Sequence, residues 1–200
     1  MTRVSERAVE ATMLEERAER NSIGFWLYLM TDCILFASLF AVYAILHVNT
    51  FGGPGPKELF HPGGVLAETL LLLASSYACG LAVLRARAGE RAKAIFWLVV
   101  CFALGASFLT LEIGEFAELI AEGNSFTRSG FLSAFFTLVA THGMHITIGL
   151  IWIAVMVAQL MLKGLTPHTA RRLTLFSLFW HFLDVVWIFI FSTVYLMGVA

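Results

Sequence analysis

The sequence predicts an all-α polytopic membrane protein, a bundle of five transmembrane helices. Three observations predict it. Of the 200 residues, 59% are hydrophobic and only 14% charged, too apolar a mix for a soluble domain. Mean hydropathy is +0.83. The apolar residues also gather in five runs of roughly the 20 residues that a helix needs to cross the hydrocarbon core.

Residues 1–22 alternate acids and arginines, from Arg3 through Glu15, Glu16, Arg17, Glu19 and Arg20, without the apolar core of a signal peptide. Val4, Ala8, Ala11, Leu14 and Ala18 make a weak helical stripe, so a solvated or surface-lying tail is expected. Residues 23–200 form the transmembrane domain. Its first span runs from Ile23 to Leu46, and the glycines and prolines of 51–56 then rule out a continuous helix. The second and third spans run from Val65 to Leu84 and from Ala94 to Glu115. The fourth, Gly130 to Leu162, is longer than one crossing requires, so it tilts or extends beyond the bilayer. Leu173 to Val199 makes the fifth.

Cys33, Cys79 and Cys101 lie inside apolar runs with no close-spaced pair. They read as buried thiols that pack as small hydrophobes rather than as a disulfide framework or zinc knuckle. Lysines and arginines set the expected topology. The tail, the second connection and the fourth carry eleven of the thirteen, and the opposite side has only Lys57 and Arg128. The positive-inside rule therefore places the N-terminus in the cytoplasm and the C-terminus outside, which in a bacterium means the inner membrane and the periplasm.

Ionisable groups inside apolar spans are costly and mark functional sites by default. Here they are Asp32, Glu68, Glu112, Glu115, His142, His145, His181 and Asp184. Counted along helices from the basic ends, Asp32 and Asp184 lie roughly 18 Å deep with His181 slightly shallower. Glu68, Glu112 and His145 fall at roughly 25 to 27 Å, with His142 and Glu115 a little further out. Two polar layers are thus expected. Glu112 and Glu115, His142 and His145, and His181 and Asp184 are each three residues apart, so each pair shares a helix face. A metal site, a proton or substrate path and a structural hydrogen-bonded network all fit this pattern. A di-metal carboxylate bundle wants Glu-x-x-His on two helices, which this chain lacks.

Four stretches carry a resemblance across all five spans: Gly24-Phe-Trp-Leu-Tyr-Leu-Met-Thr-Asp-Cys-Ile-Leu-Phe36, Arg128-Ser-Gly-Phe-Leu-Ser-Ala-Phe-Phe136, Thr141-His-Gly-Met-His145 and Trp180-His-Phe-Leu-Asp-Val-Val-Trp187. The chain resembles subunit III of the haem-copper terminal oxidases, most nearly its bo-type ubiquinol oxidase branch. Longer members have seven spans and this chain lacks the first two, with them one wall of a lipid-filled cleft. The resemblance implies an accessory subunit that is not an enzyme on its own and carries no haem or copper. Those cofactors would reside in subunit I, against which this chain packs, with subunits II and IV in the same complex. The complex would oxidise ubiquinol, reduce dioxygen to water and move protons outward. Bound phospholipid is implied, together with support of assembly and turnover stability; no nucleic-acid partner is expected. On this reading Glu112, Glu115, His142 and His145, with Glu68 nearby, form one structural polar network. Trp180, His181 and Asp184, with Asp32 in their layer, form a second.

Two rivals remain. A cytochrome c oxidase context fits the same residues. A small transporter or proton channel fits charged groups at two depths, but the chain shows no paired broken helices and no evident inverted repeat.

Overall fold

A computed structural model describes residues 3–52, 55, 59 and 62–199, with side chains for 20, 22–52, 55, 59 and 63–198. Five long helices follow one another: α1 (Arg3–Leu46), α2 (Pro62–Arg87), α3 (Arg91–Ala121), α4 (Gly130–Lys163) and α5 (Pro167–Ile190). A π turn, Phe191–Leu196, and a last helical turn, Met197–Val199, continue α5. No strand occurs among the described residues. All five helices are long and apolar enough to cross a membrane, over Ser22–Leu46, Gly63–Arg87, Arg91–Ala121, Gly130–Lys163 and Pro167–Leu196. Helices two and three outrun the apolar runs by several residues. Arginine, lysine and glutamate are good helix formers, so the backbone keeps its hydrogen bonds beyond the point where hydropathy falls.

The connections between the last four helices are short and chemically specified. Gly89 turns the chain after α2 at φ 78°, a left-handed conformation that glycine adopts without a Cβ penalty. Glu90 then accepts hydrogen bonds from Arg85 at 3.1 Å and from Lys93 at 2.9 Å. These two cations hold its carboxyl below the usual carboxylate range, Lys93 contributing most. Ser129 caps α4 by accepting from the Leu132 amide at 3.1 Å. Gly164 ends that helix at φ 72°. Thr166 and Thr169 then form a reciprocal capping box, with Pro167 in the first turn of α5.

The chain divides into two compact units, residues 1–35 and 36–200. In the second, α2 packs against α3, α3 against α4, α4 against α5, and α5 back against α2, closing a ring of four helices. The last turns of α1 meet this ring through aromatic side chains. Phe36 reaches His145 and Phe182, Phe40 reaches Phe189, and Tyr43 reaches Phe131.

Trp180 of α5 fills the centre of the ring. Its benzo edge lies against two helix backbones at once, because Gly105 of α3 and Gly149 of α4 leave room that no Cβ could share. Its indole N–H donates to Ser75 Oγ of α2 at 3.0 Å. Two turns on, Trp187 donates to Thr69 Oγ1 of α2 at 3.1 Å and packs edge-on to Phe108 of α3 at 4.7 Å. In lipid, helices gain little from apolar burial against each other, so close approach at small residues and bonds of this kind hold them together.

Candidate functional site

The polar residues fall into two groups on this scaffold. Ser76, His181 and Asp184 make the first, at the α2–α5 contact. His181 Nδ1 is hydrogen-bonded to Ser76 Oγ and lies 3.8 Å from Asp184 Oδ2, so the shared face expected from their spacing is realised on α5. Asp184 is 6% exposed, whereas the His181 side chain is 48% exposed. The imidazole therefore stands at the edge of a groove of about 450 Å³ lined by Ser76, Tyr77, Leu84 and Arg87. Trp180 sits beside this group but sends its N–H to Ser75 instead. Cys79 and Cys101 are both buried and their thiols meet across α2 and α3, with Ser177 of α5 also beside Cys79. Cys33 departs from the expectation of three buried thiols: it is exposed.

Asp32 belongs to the first unit. It is buried and within hydrogen-bond reach of Tyr28, one turn earlier on α1.

Glu68, Glu112 and Glu115 make the second group. Glu68 lies six residues past the start of α2 and Glu115 six before the end of α3, so antiparallel packing brings them level. All three carboxyl groups are within electrostatic reach of one another. Tyr195, buried on the π turn, donates its hydroxyl to Glu115 Oε2 at 3.3 Å. A groove of about 610 Å³ runs between α2 and α3 here, with Val65, Glu68, Leu111, Glu115 and Leu119 in its walls. Glu112 turns the other way. It is 2% exposed, and its carboxyl fills the space that a side chain on Gly143 of α4 would need.

The two histidines of α4 stand apart from these acids. His142 is fully buried among the rings of Phe36, Phe108 and Trp187, and among the described residues neither of its nitrogens has a hydrogen-bond partner. His145 Nδ1 pairs with Thr141 O of its own helix at 2.7 Å. No hydrogen bond joins His142 to Glu112, since both carboxylate oxygens of Glu112 are likewise unpartnered. Among the described residues, no three His, Cys, Asp or Glu side chains converge as a metal would need.

Sequence reasoning missed Tyr195, Thr69 and the hydroxyl role of Ser75. For the last two a signal existed. A tryptophan N–H buried inside a membrane span usually finds an acceptor, and serine and threonine hydroxyls bond across helices in this way.

A model of the family described as "Cytochrome c oxidase subunit III" matches residues 8–199. The chain is 56% identical to "Cytochrome bo(3) ubiquinol oxidase subunit 3" of Pseudomonas aeruginosa, over 88% of this chain and 84% of that one. It is 46% identical to "Quinol oxidase subunit 3" of Bacillus subtilis, over 92% and 91%. It is also 43% identical to "Cytochrome c oxidase subunit 3" of Bacillus sp. PS3, over 98% and 99%.

Proposed function

The chain belongs to the cytochrome c oxidase subunit III family, and we propose that it serves a bo-type ubiquinol oxidase as its accessory subunit. It is a non-catalytic member of an oxidase complex. The electron donor is ubiquinol on this reading, and the observation that carries it is the high identity to the Pseudomonas aeruginosa protein, which bears that donor in its name. Ubiquinol oxidation, reduction of dioxygen to water and proton pumping would take place in subunit I, which holds the haem and copper. This chain would pack against subunit I, alongside subunits II and IV, and would keep the pump intact through many turnovers with the help of bound phospholipid.

Residues 1–22 would then be a cytoplasmic tail and 23–200 the membrane domain, with the C-terminus periplasmic and the complex in the inner membrane. The basic residues support this orientation, as does the placement of Arg85, Arg87, Arg91 and Lys93 together at the α2–α3 turn. The rigid four-helix ring supports a scaffolding role, since its central tryptophans are bonded to hydroxyls on a neighbouring helix.

The test is to purify the tagged chain gently and record a haem spectrum, ubiquinol and cytochrome c oxidation, and activity decay with and without this chain. A haem-bearing partner, ubiquinol as donor, and an unchanged early rate with faster decay when the chain is missing are expected. Oxidation of cytochrome c but not ubiquinol would overturn the donor. Recovery without any haem protein would overturn the complex.

A further inference from the structure

The outer face at the α2–α5 contact carries two polar rings that lipid cannot satisfy. Exposed hydroxyls elsewhere on the spans are bonded within their own helices: Ser107 donates to Ala103 O, Thr110 to Ala106 O and Thr137 to Ser133 O. A serine or threonine reaches a carbonyl four residues earlier, so it needs nothing from outside. Tyr77 and His181 have rigid rings that do not reach back in this way. Tyr77 is 70% exposed on α2, and its hydroxyl has no hydrogen-bond partner among the described residues. His181 is half-exposed on α5, where Ser76 takes Nδ1 and Nε2 has no partner among the described residues. Both rings line the same groove. Tyr77 stands ten residues before the end of α2 and His181 fourteen past the start of α5. At 1.5 Å per residue these are depths of about 15 and 21 Å, near the middle of a hydrocarbon core about 30 Å thick.

We propose that this groove seats a transmembrane helix of another subunit of the oxidase complex, and that a hydrogen-bonding side chain on that helix meets His181 and Tyr77. Depth chooses the occupant. A phospholipid brings methylene groups to the middle of the bilayer, and these leave both rings unbonded. A helix satisfies its own backbone, so it can carry a polar side chain to that depth. Ionisable side chains within spans accordingly face protein or a water-filled cavity rather than acyl chains. The arrangement behind His181 fits this role. Ser76 and Asp184 both lie against Nδ1, which leaves Nε2 as the outward nitrogen of the ring. The walls also permit close approach, because Ser76 and Ser177 are small, and contacts between membrane helices are enriched in such residues.

The inference rests on the reading of this chain as an oxidase subunit and extends it by assigning the face that meets a partner. The photoreactive residue benzoylphenylalanine is placed at Tyr77 or at Leu84, which are 70% and 60% exposed, so the packing inside the bundle is untouched. The whole complex is irradiated in its native membrane and the adducts are identified by mass spectrometry. Both probes are expected to join a peptide from a membrane span of another subunit. Tyr77→Phe removes one outward hydroxyl and nothing inside the bundle, and His181→Phe removes the outward nitrogen. In each, the fraction of this chain released from the haem-bearing complex by a fixed detergent step should rise at least twofold. Adducts to acyl chains alone, to an isoprenoid quinone or to a second copy of this chain would each overturn the assignment, as would unchanged release in both variants. A preparation without any haem protein would overturn the functional reading, and this inference with it, and is visible in the spectrum. Lipid-only adducts in a haem-bearing complex would overturn this inference alone.

Discussion

Gly149→Ala is the sharpest perturbation the structure offers. A Cβ at this position would stand 2.5 Å from Trp180 Cζ3 and 2.9 Å from Cε3. Carbon atoms in ordinary contact sit about 3.5 to 4 Å apart, so the indole would have to retreat by about 1 Å. Retreat is blocked. The opposite edge of the same ring already meets Gly105, where Cζ2 and Cη2 lie 2.9 and 3.0 Å from the site a Cβ would take. Tilting the ring instead pulls its N–H away from Ser75 Oγ. Overpacking of a tight core costs about 1 to 3 kcal/mol, and a loosened buried hydrogen bond adds about 1 kcal/mol. The variant is therefore expected to lose about 2 to 4 kcal/mol. The assay is the denaturation midpoint of the purified complex, following release of this chain, with Gly80→Ala as the matched control because nothing lies within 4 Å of a Cβ there. Adding Trp180→Phe to Gly149→Ala should restore part of the loss, since a smaller ring leaves the space free, and the non-additivity measures the contact. Equal midpoints for Gly149→Ala and Gly80→Ala would refute the reasoning.

Other perturbations follow from the same geometry. Thr69→Val keeps the shape but strands the Trp187 N–H, at a cost of about 1 to 3 kcal/mol seen in the same melt. Asp184→Leu leaves His181 without its nearby carboxylate, and yield of the assembled complex should fall; an unchanged yield would argue that Asp184 contributes nothing to packing. His142→Gln should leave the haem and copper content and the early rate of the complex unchanged, and loss of metal in proportion to activity would make His142 a ligand. Glu90 is held below the usual carboxylate range in the folded chain, so its tie to Lys93 and Arg85 is fully present at neutral pH and is lost as pH falls through that lowered value. Amide exchange in the α2–α3 turn of Glu90→Gln should then exceed wild type at neutral pH and match it in acid.

The spans were legible because lipid imposes a length and a composition on anything that crosses it. Spacing gave the shared face of His181 and Asp184, since three residues on a regular helix keep two side chains together. It could not say what that face meets. Glu112 and Glu115 have the same spacing, yet the first turns to Gly143 of α4 and the second to the groove and Tyr195. The choice depends on how α3 is rotated against its neighbours, which is set by packing and not by local pattern. Tyr195 was hidden for a different reason. The π turn at Phe191–Leu196 inserts an extra residue into the winding, so a count at 3.6 residues per turn assigns the tyrosine to the wrong face. Trp180 was placed in the second polar network, but the glycines that receive its ring, Gly105 and Gly149, lie on two other helices. That they are one contact required the fold.

The two polar groups differ in how well the chain satisfies them, and the difference bears on what each is for. Trp180 and Trp187 have found hydroxyl acceptors, so removing either bond leaves a donor stranded in a medium without water. That is the behaviour of a structural lock. Glu68 and Glu112 are as buried as those tryptophans but keep oxygens with no partner among the described residues. A buried acid in that state costs stability, and apolar residues of the same volume would serve the bundle as well or better. Packing within this chain therefore accounts for the tryptophan group and not for the carboxyl group.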